Sequence, residues 1–253
     1  MTRSDDAATL LLTARRGASL RLDGLPDAVR PETEAEAYDV QRAVSAAMGG
    51  IDGWKVGSPN PAATHFTCAP LPAGTVSTGP VTVDGSDRGV EAEIAVRLGR
   101  DLPPRDTPYD IEEVRAAIAS AHPAIEVLES RFIDAAAAGA MSALADSLSN
   151  HSLVLGPAIE GWDGIDLAAE TVRLSVDGVE IKTGAGNPGG EMLRLIVWLA
   201  NEGTRWAGGL RAGQVVTTGS WTGKDYVAPG AEVQARFARC GAVSLRFAQA
   251  DQS

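Results

Sequence analysis

Glu91 and Glu93 stand two residues apart in the run Gly89-Val90-Glu91-Ala92-Glu93-Ile94-Ala95. Apolar residues fill the positions between them, so the run reads as a strand. A period of two places both carboxylates on one face, about 7 Å apart at their Cα atoms. Glu is disfavoured in strands, and two neighbouring carboxylates repel unless a cation lies between them. A hard divalent ion with oxygen ligands, Mg2+ above all, is the natural occupant. The competing reading is the solvated outer face of an edge strand. Glu126 is the only polar residue in Pro123-Ala124-Ile125-Glu126-Val127-Leu128, and a lone carboxylate in such a run needs a partner. It is either a third metal ligand or a core carboxylate paired with Arg131. Glu129, three residues on, is a further candidate ligand.

Lys55 sits between Trp54 and Val56, with glycines at 53 and 57. Burial disfavours a charged ammonium, so its pKa is expected to fall, which suits proton transfer. A snorkelling lysine, or one paired with an acid, is the alternative. Gly219-Ser220-Trp221-Thr222-Gly223 puts hydroxyls on a tight turn, which can hold a carboxylate through hydroxyl and backbone N–H donors. His65, His122 and His151 share no metal-ligand spacing and read as structural. Gly184 to Gly190 is glycine-rich but matches neither nucleotide-loop pattern. Cys68 and Cys240 form no C-x-x-C motif and read as reduced thiols.

These residues need elements to position them. Ala7 to Arg16 has helical spacing. Thr33-Glu34-Ala35-Glu36 resembles a capping box, ahead of a helix carrying Ala37, Val40, Val44 and Met48 and ended by Gly49-Gly50. Ser58 to Gly85 reads as loops and short strands over a site. Val90 to Leu98 is a strand. Asp110 with Glu113 caps a helix running through Ala121, and Ala124 to Leu128 is a strand. Ile133 to Leu148 reads as an Ala-rich helix and Ser152 to Gly156 as a strand. Thr171 to Val176 and Val179 to Thr183 flank Asp177-Gly178, a hairpin signal. Glu191 to Trp206 reads as a helix. Gln214 to Thr218, Val233 to Phe237 and Ala242 to Phe247 are strands. Early helices and late hairpins give an α+β chain with a closed or rolled β core.

Composition bounds the partners. Asp plus Glu number 33 against 22 Lys plus Arg, a net charge of −11, which argues against nucleic acid or anionic membrane. The longest strongly apolar stretch, Leu193 to Ala200, falls short of the ~20 residues a membrane span needs. The acidic start, Met1-Thr2-Arg3-Ser4-Asp5-Asp6, does not read as a signal peptide. A soluble, cytoplasmic protein is expected.

The order of Ala37-Tyr38-Asp39-Val40-Gln41, Gly53-Trp54-Lys55-Val56-Gly57, Val90-Glu91-Ala92-Glu93-Ile94-Ala95 and Pro123-Ala124-Ile125-Glu126 resembles the 2-keto-4-pentenoate hydratases. So do Trp198-Leu199-Ala200-Asn201, Leu210-Arg211-Ala212-Gly213 and Thr218-Gly219-Ser220. These enzymes belong with the 4-oxalocrotonate decarboxylases in the fumarylacetoacetate hydrolase superfamily. The resemblance implies an α-rich N-terminal part, residues 1–80, followed by a rolled mixed β-sandwich or barrel core, residues 81–253. It implies Mg2+ or Mn2+ on Glu91, Glu93 and Glu126, a catalytic Lys55, and substrate contacts from Gly57, Ser58, Ser220 and Thr222. The implied activity is metal-dependent hydration of a 2-hydroxydienoate or 2-oxo-enoate acid in aromatic catabolism. Decarboxylation, C–C hydrolysis and a non-catalytic relative are the alternatives. A homo-oligomer acting on a small 2-oxo acid is implied.

The chain departs from the family in three places. Ser58-Pro59-Asn60-Pro61 replaces a Leu-Thr-Ser run, Pro70-Leu71-Pro72-Ala73-Gly74 lacks the usual acid, and Ala145-Asp146-Ser147 lacks the usual Asn. No lysine or arginine lies between Ser58 and Arg88, so a neutral or apolar distal group on the substrate is expected.

Overall fold

The structure, a computed structural model, describes residues 2–84 and 88–249. Gly85, where the expected loop-and-strand stretch ends, lies outside them. Helix α1 (Arg3–Ala14) opens on a capping box between Thr2 and Asp5 and buries Ala7, Ala8, Leu11 and Ala14. Helix α2 (Glu34–Ala47) is capped by Thr33, which accepts from Glu36 N, and buries Ala37, Val40 and Val44. The reciprocal half of the expected box is missing, because the Glu36 carboxylate accepts from Glu32 N instead. Gly49 and Gly50, at φ +96° and +125°, turn the chain out of α2.

The strands follow as β1 (Ile51–Gly57), β2 (Thr67–Pro72), β3 (Val76–Thr78), β4 (Val81–Val83) and β5 (Arg88–Leu98). Helix α3 (Ile111–Ala117) leads into β6 (Ile118–Leu128), and α4 (Ala140–Ala145) precedes β7 (Asn150–Leu155). The hairpin β8 (Thr171–Val176) and β9 (Val179–Ala185) comes next, then α5 (Met192–Trp198). The chain continues through β10 (Val215–Thr217), β11 (Asp225–Val227), β12 (Glu232–Phe237) and β13 (Ala242–Phe247).

Among the described residues these strands form two mixed sheets. The larger has eight strands in the order β2-β1-β10-β5-β6-β7-β3, with β11 also pairing with β5; the smaller runs β4-β13-β12-β8-β9. Neither closes into a barrel. Strands β1, β2 and β3 lie in the same sheet as β5, β6 and β7, so the division expected at residue 80 falls inside a hydrogen-bonded layer. The main core lies around the sheets and α5, with Trp54, Ile94, Ile125, Leu174 and Leu195 buried in it. A second cluster joins α1, α2 and α4 through Ala7, Leu11, Val40, Phe132 and Leu144.

Three expected helices are shorter than their periodicity suggests. The one through Ala121 stops at Ala117, because Ile118 onward pairs with β5 along its length. The one from Ile133 to Leu148 reduces to α4. Asp134 caps a local turn at Ala136 N and Ala137 N, and Gly139 at φ +85° breaks the run. The one from Glu191 to Trp206 is regular only over α5. A wider turn, Leu199–Gly203, then ends where Thr204 Oγ1 donates to Leu199 O at 2.9 Å. The hairpin at Asp177-Gly178 forms as expected.

Candidate metal and acid–base site

The centre of the larger sheet brings the flagged residues together. Strands β5 and β6 are antiparallel with Glu91 directly opposite Glu126, a pairing that is unfavourable for like charges on its own. Glu93 lies two residues along the same face of β5. Carboxylate oxygens of Glu91, Glu93 and Glu126 lie within 4.8 Å of one another. Glu93 and Glu126 are almost wholly buried, at 1% and 0% exposure, and β5 lies between β10 and β6, so Glu91 and Glu93 do not lie on the solvated face of an edge strand.

Strand β10 lies between β1 and β5 and sets Lys55 in register with Thr217. It can approach β1 closely because residue 53 is glycine: a Cβ there would sit 2.4 Å from Val215 O. Lys55 Nζ donates to Glu126 Oε1 at 2.7 Å and to Leu148 O at 3.4 Å. Asn150 Nδ2 donates to the same Glu126 oxygen at 2.7 Å. Glu93 Oε2 accepts from the Thr217 hydroxyl and from Gly219 N. Glu126 Oε2 is buried and has no hydrogen-bond partner.

Electrostatics follow from this packing. Burial pushes the Glu91 and Glu93 carboxyls up from their ordinary value of 4.5, and the neighbouring carboxylates push the same way. Lys55, Lys224 and Lys182 partly offset this at Glu91. Burial works against the Lys55 charge, but Glu126 and its fellow carboxylates more than restore it, so Lys55 titrates above 10.5. The expected downward shift is therefore reversed, because the acid partner lies at hydrogen-bond distance. Lys55 is therefore held as a charged ammonium, a state suited to pairing with an anion.

Three carboxylates with one lysine in contact, and a buried Glu126 oxygen with nothing to accept from, suit a hard cation. The residues present therefore fit a divalent ion. The pairing of Glu126 with Arg131 does not occur. Arg131 is buried against Asp146 and also holds Asp146 O and Asn150 O. Glu129 lies outside the trio and pairs with Arg21 at 2.8 Å.

The remaining flagged residues sit around this centre. Ala92, between Glu91 and Glu93, bonds the Ser220–Thr222 turn: Trp221 N donates to Ala92 O, and Ala92 N donates to Thr222 Oγ1. Thr222 is thus engaged in holding β5, whereas Ser220 Oγ is buried without a partner. Gly57 ends β1. Ser58 Oγ donates to Asn60 O at 2.7 Å and accepts from Arg194 Nη2 at 3.2 Å.

Asn150, Leu148 O and the Arg131–Asp146 pair were not singled out from sequence. The one available signal was the polar Asn150 immediately ahead of a strand. The histidines bond elsewhere: His65 with Glu34, His122 with Ser120 and Gly156 O, His151 with Ser152. Both thiols are buried and pushed up to about 12, so neither is a thiolate at neutral pH. A larger cavity of about 540 Å3, between Trp162 and Leu193, touches none of Lys55, Glu91, Glu93 and Glu126. No described helix is long and apolar enough to cross a membrane.

Comparison with known proteins agrees with the resemblance seen in the sequence. The chain is 33% identical over 159 residues to a 2-keto-4-pentenoate hydratase of Paraburkholderia xenovorans LB400. The match covers 62% of this chain and 58% of that one. It is 30% identical over 159 residues to a 4-oxalocrotonate decarboxylase of Pseudomonas putida, covering 62% and 59%. The matched segment thus spans less than two thirds of these curated relatives. Among solved structures, 4-oxalocrotonate decarboxylase of Pseudomonas putida G7 complexed with magnesium and adipate superposes over 98% of both chains. The TM-score is 0.81 and the identity 26%. The model of the fumarylacetoacetate (FAA) hydrolase C-terminal family matches residues 45–248, and the chain belongs to that family.

Proposed function

We propose that this protein is a divalent-metal-dependent lyase, first a hydratase, acting on a 2-hydroxydienoate or 2-oxo-enoate acid. One observation carries the reading: three carboxylates within 4.8 Å of one another, two of them fully buried, with the Lys55 ammonium against one of them. Glu91, Glu93 and Glu126 would hold Mg2+ or Mn2+, with oxygen ligands that suit either ion. When bound, such an ion supplies Lewis-acid stabilisation of charge developing on a substrate's oxygen.

The chain's own groups do the rest. Lys55 Nζ holds a proton at the site, and Leu148 O and Glu126 Oε1 fix its direction. It would deliver that proton to a dienol carbon or bind a carboxylate. Asn150 keeps the Glu126 carboxylate from rotating. Gly57 and Ser58 at the end of β1, and Ser220 beyond the end of β10, would contribute substrate contacts, and Thr222 fixes the turn that carries Ser220. The small-molecule substrate and the homo-oligomeric assembly are part of the same reading.

Decarboxylation is the second reading, favoured by the superposition over nearly the full length of the decarboxylase. Incubation of the metal-loaded protein with 2-hydroxypenta-2,4-dienoate and with 4-oxalocrotonate separates the two. Metal-dependent loss of dienoate absorbance without CO2 release supports the hydratase. CO2 release from the second substrate supports the decarboxylase. Tight metal binding with turnover of neither would leave a non-catalytic relative.

A further inference from the structure

The glycine-rich segment that matches no nucleotide-loop pattern runs from the end of β9 to the start of α5, and it contacts the stretch of chain that holds Glu93. Gly186 and Gly190, at φ +66° and +85°, turn the chain on either side of Asn187. Asn187 Oδ1 accepts from Gly189 N at 2.7 Å. A backbone N–H only donates, so this contact fixes which way round the amide stands. Nδ2 then faces Thr218, donating to Thr218 O at 2.8 Å and to Thr218 Oγ1 at 3.3 Å.

Thr218 is the middle residue of the stretch that holds Glu93. Thr217 before it donates its hydroxyl to Glu93 Oε2, and Gly219 after it donates its N–H to the same oxygen. Thr217, Thr218 and Glu93 are each 1% exposed or less. Thr218 is also tied to β5, where its hydroxyl donates to Ile94 O at 3.3 Å. The Asn187 amide is the shorter of these two ties.

Hydrogen bonds, more than packing, keep Asn187 in place. It lines the cavity of about 540 Å3 together with Gly186 and Gly190, so that face of the loop borders open space. Farther along the loop, Arg194 Nε donates to Gly189 O at 3.1 Å, while Arg194 Nη2 donates to Ser58 Oγ and Ala63 O at 3.2 and 3.1 Å. The loop is thus anchored at one end to Glu93's donors and at the other to the segment that follows the strand of Lys55.

We propose that Asn187 is a positioning residue for the metal site: its amide sets the backbone from Thr217 to Gly219 so that both donors meet Glu93 Oε2. This rests on the proposed function for the identity of the trio's ligand. Outer partners of metal ligands typically contribute about 10–100-fold in ion affinity, and Asn187, one contact further out, belongs at the lower end.

Calorimetric titration with Mg2+ tests it in Asn187→Ala, Asn187→Ser, Thr217→Val and the double variant Asn187→Ala with Thr217→Val. Asn187→Ser retains an acceptor for Gly189 N but loses the reach to Thr218. Both Asn187 variants should bind Mg2+ about tenfold more weakly than the wild type. Thr217→Val should weaken binding by a similar factor or more. The double variant should lose less than the product of the two single losses, because both substitutions loosen the same carboxylate. Recovery of wild-type affinity in Asn187→Ser would reduce the amide to a turn-former and overturn the proposal. Unchanged affinity in both Asn187 variants, purely multiplicative losses in the double variant, or unfolding of both Asn187 variants overturns it as well and leaves the trio's role standing. A wild type that binds no Mg2+ overturns the reading of the trio, and this proposal with it.

Discussion

Glu126 does two things with two oxygens. Oε1 accepts from Lys55 and Asn150, while Oε2 is buried without a partner. Glu126→Gln keeps the shape and removes the anion. Divalent-ion affinity should fall by tenfold or more, about 1.4 kcal/mol, as measured by calorimetry; an unchanged affinity would place the ion elsewhere. Lys55→Met removes the proton-carrying ammonium but leaves all three carboxylates. Turnover should fall by about 10²-fold or more, while ion affinity holds or rises because a competing cation is gone. Loss of ion binding in that variant would make Lys55 a structural clamp. The trio and Lys55 were legible in the sequence because each is a charged residue out of place in an apolar strand. Asn150 and Leu148 were not. Asn150 looks like any loop amide until β7 is registered against β6, and a backbone carbonyl leaves no mark on side-chain type. The direction of the Lys55 shift depends on Glu126 lying 2.7 Å away, a distance that no local pattern encodes.

The element that presents Leu148 and Asn150 is a strained turn. Ser147, Leu148 and Ser149 have φ of 51°, 53° and 64°, and the left-handed region costs a non-glycine residue about 1–2 kcal/mol. Three such residues in succession persist only if both ends are held. Arg131 holds both. Its Nε meets the Asp146 carboxylate, Nη2 donates to Asp146 O at 2.8 Å, and Nη1 donates to Asn150 O at 2.9 Å. Burial lifts the Asp146 carboxyl above 3.8, and Arg131 draws it part of the way back. Removing one partner of a buried pair costs about 3–5 kcal/mol. Arg131→Met should therefore lower stability by that amount in urea titration and reduce turnover as Leu148 O leaves Lys55. A wild-type midpoint would show that other contacts hold the turn. The same turn explains why periodicity overextended the helix from Ile133 to Leu148: Ala-rich composition favours a helix locally, and the tertiary tie to Arg131 overrides it. Strands with out-of-place charges were read well, whereas helix ends were set both by tertiary ties, at Ile118 and Asp146, and by local breaks, at Gly139 and Thr204.

At the scale of the whole molecule, the site exists only in the folded chain. Lys55 on β1, Thr217 on β10, Glu93 on β5, Glu126 on β6 and Asn150 on β7 meet through sheet pairing across most of the sequence. Ion binding and folding are therefore linked, and the link depends on pH. In the folded chain the Glu91 and Glu93 carboxyls titrate above 4.5, whereas in the unfolded chain they return to ordinary values. As pH rises through 4.5 the unfolded state releases these protons first. The metal-free fold thus loses stability from about pH 4.5 upward, until both folded carboxyls have ionised. Lys55, held above 10.5, contributes fully below that value and loses its contribution only as pH passes its folded value. A divalent ion requires the ionised trio, so protons compete with it over the carboxylate window. Ion at about a hundred times its Kd stabilises by about 2.7 kcal/mol, and its apparent affinity should strengthen as the carboxyls ionise. Thermal unfolding with and without Mg2+, at about pH 5 and about pH 8, measures this difference. The Mg2+-induced rise in Tm should be larger at the higher pH, and in Glu93→Gln it should shrink at both. An equal or smaller rise at the higher pH in the wild type would mean that these carboxylates neither titrate in this window nor hold the ion.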